Sequence, residues 1–189
     1  MLRYFKIAFW VVFWVVLAGF LHYTLPKRDI VYVTNTYNRV VSVSANSIFW
    51  DSPGVGTVTQ DGKVSRDVLF IEATRQTGRP SVYRNEDTGF WPPYFKFDSS
   101  NLQAEASNLK SNDAMNPNWV AVRHYGWRIP MFSIYPNAVS VYAVAGPDER
   151  LIPWFNIIFL TVLAAVFWAI HVRWKRFWTN RRAARADVI

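Results

Sequence analysis

The stretch that decides the architecture is Ile7–Leu25, IAFWVVFWVVLAGFLHYTL, nineteen residues without a charge. At about 1.5 Å per helical residue it reaches roughly 28 Å, close to the ~30 Å hydrocarbon thickness of a bilayer. A second block, Leu151–Val172, LIPWFNIIFLTVLAAVFWAIHV, has twenty-two uncharged residues. It reaches roughly 33 Å. Both are predicted to be membrane-spanning helices. The chain then divides into a cytoplasmic start and first transmembrane helix over 1–25, a β-rich domain over 26–150, a second transmembrane helix over 151–172 and a basic tail over 173–189. The first block has one competing reading, a cleaved signal peptide after Arg3 and Lys6, with Val16-Leu17-Ala18 as the small-residue site. Its bulky Trp10, Trp14 and Phe20, and an apolar run that continues past Ala18, favour an uncleaved anchor.

Basic residues set the orientation. Of the net charge of +8, the two termini carry +7, from Arg3 and Lys6 at the head and from Arg173, Lys175, Arg176, Arg181, Arg182 and Arg185 against Asp187 in the tail. Positive flanks stay on the cytoplasmic side, so both termini are expected in the cytoplasm and the central domain on the outer side. Lys27 and Arg28 oppose this weakly. A charge excess confined to the tail, with no basic stripe on the central domain, argues against a nucleic-acid partner. In the tail, Trp174, Phe177 and Trp178 lie among the arginines, and Arg173, Lys175, Arg176, Arg181 and Arg182 are expected at anionic lipid headgroups.

Between the helices the apolar period becomes two and turn residues recur. Ile30–Val33, Val40–Val43, Arg66–Ala73, Ser81–Arg84, Tyr94–Phe97, Trp119–Val122 and Ala138–Val144 read as strands, with Thr77-Gly78-Arg79-Pro80 as a turn. Ser100-Asn101-Leu102-Gln103 fits a capping box, and Leu102, Ala106 and Leu109 recur at helical spacing, predicting one short helix over 100–110. The fold class is thus α+β: two transmembrane helices flanking an antiparallel sheet or barrel, whose β-β-β-α-β-β order is that of an OB-type barrel.

Chemistry is sparse. The absence of cysteine excludes disulfide scaffolds, zinc fingers and thiol nucleophiles. No Walker loop, G-x-S-x-G, H-E-x-x-H or calcium loop occurs. His22 and His171 fall at opposite ends of the two spans, so they cannot share a haem or metal, and no cofactor is expected. His124, in Arg123-His124-Tyr125-Gly126-Trp127-Arg128, would act as a general base only with Glu86, Asp87 or Asp98 within reach; otherwise it is a hydrogen-bonded strand-end histidine. Phe90, Trp91 and Tyr94 form a Pro-stiffened aromatic cluster. Together with His124 and Trp127 they are the candidate partner or ligand contacts, unless they simply cap the barrel. Gly19, Asn156, Ala165 and Ala169 are candidates for helix packing, Asn156 lying level with Gly19 and Phe20.

Leu21–Pro26, Val82–Thr88, Tyr94–Ala104, His124–Pro130 and Tyr135–Ala138 together resemble a family of unknown function found in α-proteobacteria, over nearly the whole chain. The resemblance implies a bacterial inner-membrane protein and no assigned reaction. The expected function is a non-enzymatic accessory or interaction subunit of a membrane assembly, in contact with lipid and with a membrane-protein partner or further copies of itself. The alternative is an anchored periplasmic module that binds a glycan, peptide or lipid, with Trp91, Tyr94 and Trp127 as stacking surfaces. An enzyme built on His124 is a third.

Overall fold

β-Branched and tyrosine residues recur through the segment after Pro26, and in the computed structural model it forms one long strand, β1 (Lys27–Ser42). Residues 2–42, 57–58, 64–89, 92–113 and 115–186 are described. The chain enters β1 from helix α1 (Leu2–Thr24), which ends just before Pro26, whose ring cannot continue a helix. The remaining strands are β2 (Thr57–Val58), β3 (Val64–Arg75), β4 (Pro80–Asn85), β5 (Trp119–Tyr125) and β6 (Asn137–Ala143), with helix α2 (Ser99–Asn108) between β4 and β5. A 3-10 turn, Pro130–Phe132, precedes β6.

Five of these strands close into a barrel in the order β1-β5-β6-β4-β3, with β3 returning to β1, and two-residue β2 adds to the edge of β3. β1 belongs to both sides: Lys27–Tyr32 pair with β5, and Val31–Ser42 pair with β3. A bulge between Val33 and Asn35 lets the strand bend from one partner to the other. The two short runs expected at Ile30 and Val40 are therefore parts of one strand, and Val43 lies outside the described residues. The turn expected over 77–80 forms, with Gly78 at φ +74°, in the left-handed region that a side chain disfavours.

Inward-facing Val31, Val33, Ile71, Ala73, Tyr83, Val120, Val122, Ala138 and Val141 make the core, and α2 buries Leu102 and Ala106, one turn apart, against it. The helix is capped two residues earlier than the capping box implied. Asp98 accepts from the Asn101 amide at 3.0 Å. Gln103 turns to the barrel instead, donating to the Phe70 carbonyl at 3.1 Å and accepting from Asn85 Nδ2 at 2.8 Å. A capping glutamine would have to reach back along its own helix, and here two better-buried partners hold it.

The strand expected at Tyr94–Phe97 does not form. Pro92 and Pro93 supply no amide to a ladder, and Phe95 sits at φ +50°, so the segment is the returning arm of a loop. Its base is closed by the Thr88 amide donating to the Lys96 carbonyl at 2.9 Å and the Lys96 amide donating to Thr88 Oγ1 at 3.0 Å.

Closure depends on side chains where β4 meets β6. Those strands share a single parallel register position, Arg84 opposite Asn137. Buried Asn137 accepts from the Glu86 amide and donates back to the Glu86 carbonyl, both at 3.0 Å. Lys96 Nζ, also buried, donates to Asn85 Oδ1 at 2.5 Å, the Ala138 carbonyl at 2.8 Å and the Glu86 carbonyl at 3.1 Å. Burial lowers its pKa to about 8, while the charges of Asp87 and Glu86 oppose that shift, so at neutral pH the ammonium supplies all three bonds.

The last helix, α3 (Trp154–Ala186), belongs to a unit of its own and runs unbroken from Trp154 to Ala186. Both α1 and α3 are long and apolar enough to cross a membrane. Replacing Lys96 with Met is expected to lower the melting midpoint of the detergent-solubilised protein by roughly 10 °C, equivalent to about 3 kcal/mol, because Asn85, Ala138 and Glu86 each lose a charged donor at the seam. An unchanged midpoint by near-UV circular dichroism would remove the role assigned to this lysine.

Candidate functional site

Strand alternation carries one carboxylate into the barrel. Asp29 shares the parity of Val31 and Val33 on β1, so its side chain faces inward, at the end where the α1 chain enters. One oxygen, Oδ2, gathers three partners from three strands. Arg75 Nη2 at the end of β3 donates at 2.6 Å and Tyr83 Oη of β4 donates at 2.7 Å. His124 Nε2 of β5 lies at 3.2 Å, close enough to pair as an imidazolium but off the line of a good hydrogen bond. The His124 ring leans on the Tyr83 ring, centroids 5.2 Å apart. A register shift in the β5–β6 ladder falls between Arg123 and His124, and bulges of this kind re-aim side chains beside sites.

The electrostatics follow from the geometry. Burial alone would raise the Asp29 pKa, but contacts from His124 and Tyr83 and the charge of Arg75 outweigh it and hold the carboxyl below its ordinary value. Tyr83 is pushed far upward by burial and by the neighbouring carboxylate, so it remains a donor. His124 Nδ1 is buried with no hydrogen-bond partner among the described residues.

This cluster floors a cleft of about 860 Å³. Its walls are Lys27 and Ile30 of β1, the β3–β4 turn from Arg75 to Pro80, Ser81 on β4, and Gly126, Arg128 and Pro130 beyond β5. The volume lies in the range of small-molecule sites. Four cations, Lys27, Arg75, Arg79 and Arg128, line it against one carboxylate, Asp29. Among the described residues no hydroxyl or amine bonds to His124, and no group of three or more metal-ligating side chains occurs.

The cleft opens beside the end of α1, which the barrel grips tightly. The last carbonyls of a helix lack partners within it. Here Gly126 N–H donates to the Tyr23 carbonyl at 2.9 Å and the Tyr94 hydroxyl donates to the Thr24 carbonyl. Trp127 Nε1 donates to His22 Nδ1 at 2.8 Å, and its ring meets Tyr23 edge-on. Tyr94 stacks on Tyr125 at 4.9 Å. Gly126 sits at φ +94°, where a side chain would be strained.

The residues singled out from sequence are therefore distributed. His124 enters the cleft. Tyr94 and Trp127 hold α1, so the rings proposed as ligand-stacking surfaces are engaged within the protein. Phe90 and Trp91 lie outside the described residues. The carboxylates considered for His124 are committed elsewhere: Glu86 pairs with Arg84 at 2.6 Å, Asp87 accepts from the Ser99 amide, and Asp98 caps α2. Its carboxylate is Asp29, ninety-five residues away in sequence and visible there only as an acid on the apolar parity of β1. Gly19 lies on α1, and Asn156, Ala165 and Ala169 on α3. Arg173, Lys175, Arg176, Arg181 and Arg182 fall on the C-terminal part of α3, where Arg181 covers the Phe177 ring at 4.8 Å.

Because the Asp29 pKa is depressed in the fold, its stabilising contribution is complete above the ordinary value of 3.8 and is lost as pH falls through the folded value. Asp29→Asn is expected to lower the melting midpoint at pH 7 and to flatten its decline between pH 4 and pH 2. Parallel acid limbs in the two proteins would contradict this.

A family profile described as a protein of unknown function, DUF1523, matches residues 2–178. An uncharacterized protein of Haemophilus influenzae is 35% identical over 153 residues, which cover 79% of this chain and 80% of that protein. No solved structure matches. The match covers α1, the barrel and most of α3, and the chain belongs to the DUF1523 family.

Proposed function

We propose that this chain is a bacterial membrane-anchored ligand-binding module. In this reading α1 and α3 cross the inner membrane, both termini are cytoplasmic, and a barrel of OB type presents its cleft in the periplasm. The helix lengths, the basic flanks and the strand order with α2 between the third and fourth barrel strands all support it. The basic end of α3, with Trp174 and Trp178 among its cations, fits the cytoplasmic headgroup layer. The observation that carries the reading is the cleft itself: a concave site of ligand size, floored by a buried polar cluster and held at a set distance from the end of a span. Nothing bonded to His124 among the described residues supplies a nucleophile, which favours binding over catalysis.

A second reading, the subunit of a membrane assembly, draws on exposed apolar side chains of the barrel domain, with Phe95 64%, Phe97 70% and Met131 80% accessible. The two are separable. Native mass spectrometry of full-length protein, extracted gently from its own membranes, is expected to show a bound small molecule that is lost in Ser81→Trp, which places an indole in the cleft. A stoichiometric protein companion with no small molecule would favour the second reading. The topology has its own check. A reporter inserted at Ser111 is expected to be active in the periplasmic form only, and activity confined to the cytoplasmic form would overturn the orientation.

A further inference from the structure

The charge balance of the cleft narrows what it holds. Its one carboxylate, Asp29, is already bonded to Arg75 and Tyr83 and lies against His124. Three further cations remain. Arg79, in the β3–β4 turn, is exposed and has no carboxylate partner among the described residues. Arg128 is held in place rather than neutralised: its guanidinium lies 4.3 Å from the Tyr135 ring centre and donates to the Ile134 carbonyl at 3.3 Å. Lys27 is partly buried against His22, its Nζ 3.2 Å from the imidazole Nε2, with no carboxylate within ion-pair distance among the described residues. Three cations of this kind, converging on a concave surface, concentrate positive potential where an anion would enter.

A second observation points the same way. His124 is only 6% exposed, lines the cleft, and has a buried Nδ1 without a hydrogen-bond partner among the described residues. Buried polar atoms are rarely left so, and a ligand or water bonded to it would satisfy it.

Resting on the reading of the cleft as a ligand site, we infer that it binds a phosphate ester through Arg79, Arg128 and Lys27. Guanidinium groups match phosphate oxygens with paired, planar donors, and a lysine adds a compact charge. The cleft, at about 860 Å³, far exceeds a bare phosphate, so the group arrives on a larger molecule. Two sources share this chemistry. Lys27 follows the last residue of α1 by three positions, which puts the mouth of the cleft at headgroup level if α1 spans the bilayer. An anionic phospholipid can reach it there, and a soluble phosphate ester can reach it from the aqueous side.

The test uses full-length protein in dodecyl maltoside, which carries no phosphate, and calorimetric titration with glycerol 3-phosphate, dihexanoylphosphatidylglycerol and glutarate. At least one phosphate probe is expected to bind, with affinity falling as salt rises. Arg79→Ala and Lys27→Ala should each weaken it at least tenfold, while Lys110→Ala, outside the cleft, leaves it unchanged. Thr77→Glu, which adds a negative charge in the exposed turn without touching an internal bond, should abolish binding at an unaltered melting midpoint. Binding of the lipid alone identifies a headgroup site, and equal binding of both phosphate probes identifies the ester itself. Glutarate binding as tightly as either, or phosphate binding indifferent to Arg79, Lys27 and Thr77, would overturn the inference. Failure of all three probes alongside a neutral molecule in native mass spectrometry would overturn it and leave the ligand-module reading standing. Failure of the probes with an empty cleft in native mass spectrometry would remove both.

Discussion

A parallel pair with one register position, Arg84 opposite Asn137, is all the backbone pairing that joins β4 to β6, and the barrel cannot close without it. Regular ladders stabilise every other neighbour in the ring, whereas here one backbone bond, from the Arg84 amide to the Pro136 carbonyl at 2.9 Å, is supplemented by side chains that imitate a ladder. Asn137 exchanges two hydrogen bonds with the Glu86 backbone, as a strand neighbour would, and the Lys96 ammonium bridges Asn85, Glu86 and Ala138 from below. A lysine is rarely buried because taking its charge out of water is costly. It is tolerated here because three oxygens surround it as acceptors. Arg84–Glu86, Asn85–Gln103 and Thr88–Lys96 extend the same fastening to the loop and to α2.

The grip on α1 is a second consequence of unsatisfied backbone groups. The helix ends abruptly before Pro26, leaving carbonyls at Tyr23 and Thr24, and the barrel supplies Gly126 and Tyr94 to meet them. Tyr23, Tyr94, Tyr125 and Trp127 then pack around the junction. Aromatic rings with one polar end favour the boundary between hydrocarbon and water, so the same residues that join helix to barrel suit the level at which the proposed bilayer would end. A stiff joint of this kind also fixes the cleft, whose Lys27 and Gly126 belong to it, relative to the helix axis.

Much of the barrel was legible. The period-two runs marked β3 to β6, the Thr77–Pro80 segment marked their turn, and Leu102 with Ala106 marked the helical plug. The failures have local causes. Tyr94–Phe97 alternates like a strand, but its proline neighbours deny it a ladder and Lys96 points inward because acceptors wait there. The capping box at Ser100 lost to Asp98, since Gln103 found buried partners on the barrel. At the candidate site, His124 was legible as an oddity and Asp29 was not, because the contact joins the first strand of the barrel to the fourth.

What the sequence by itself determined is the division of the chain: two uncharged helical blocks, a basic end, and an alternating middle with one helix. Those features depend on neighbours a few residues apart, through hydrophobic period, charge and turn chemistry. Only the tertiary structure decided which polar residues meet. Barrel closure brings β1, β3, β4 and β5 around Asp29, and converts Tyr94 and Trp127 from free aromatic surface into the clasp of α1. A side chain's parity on its strand is local, but its partner across the barrel is set by strand order and register, which no short window of sequence contains.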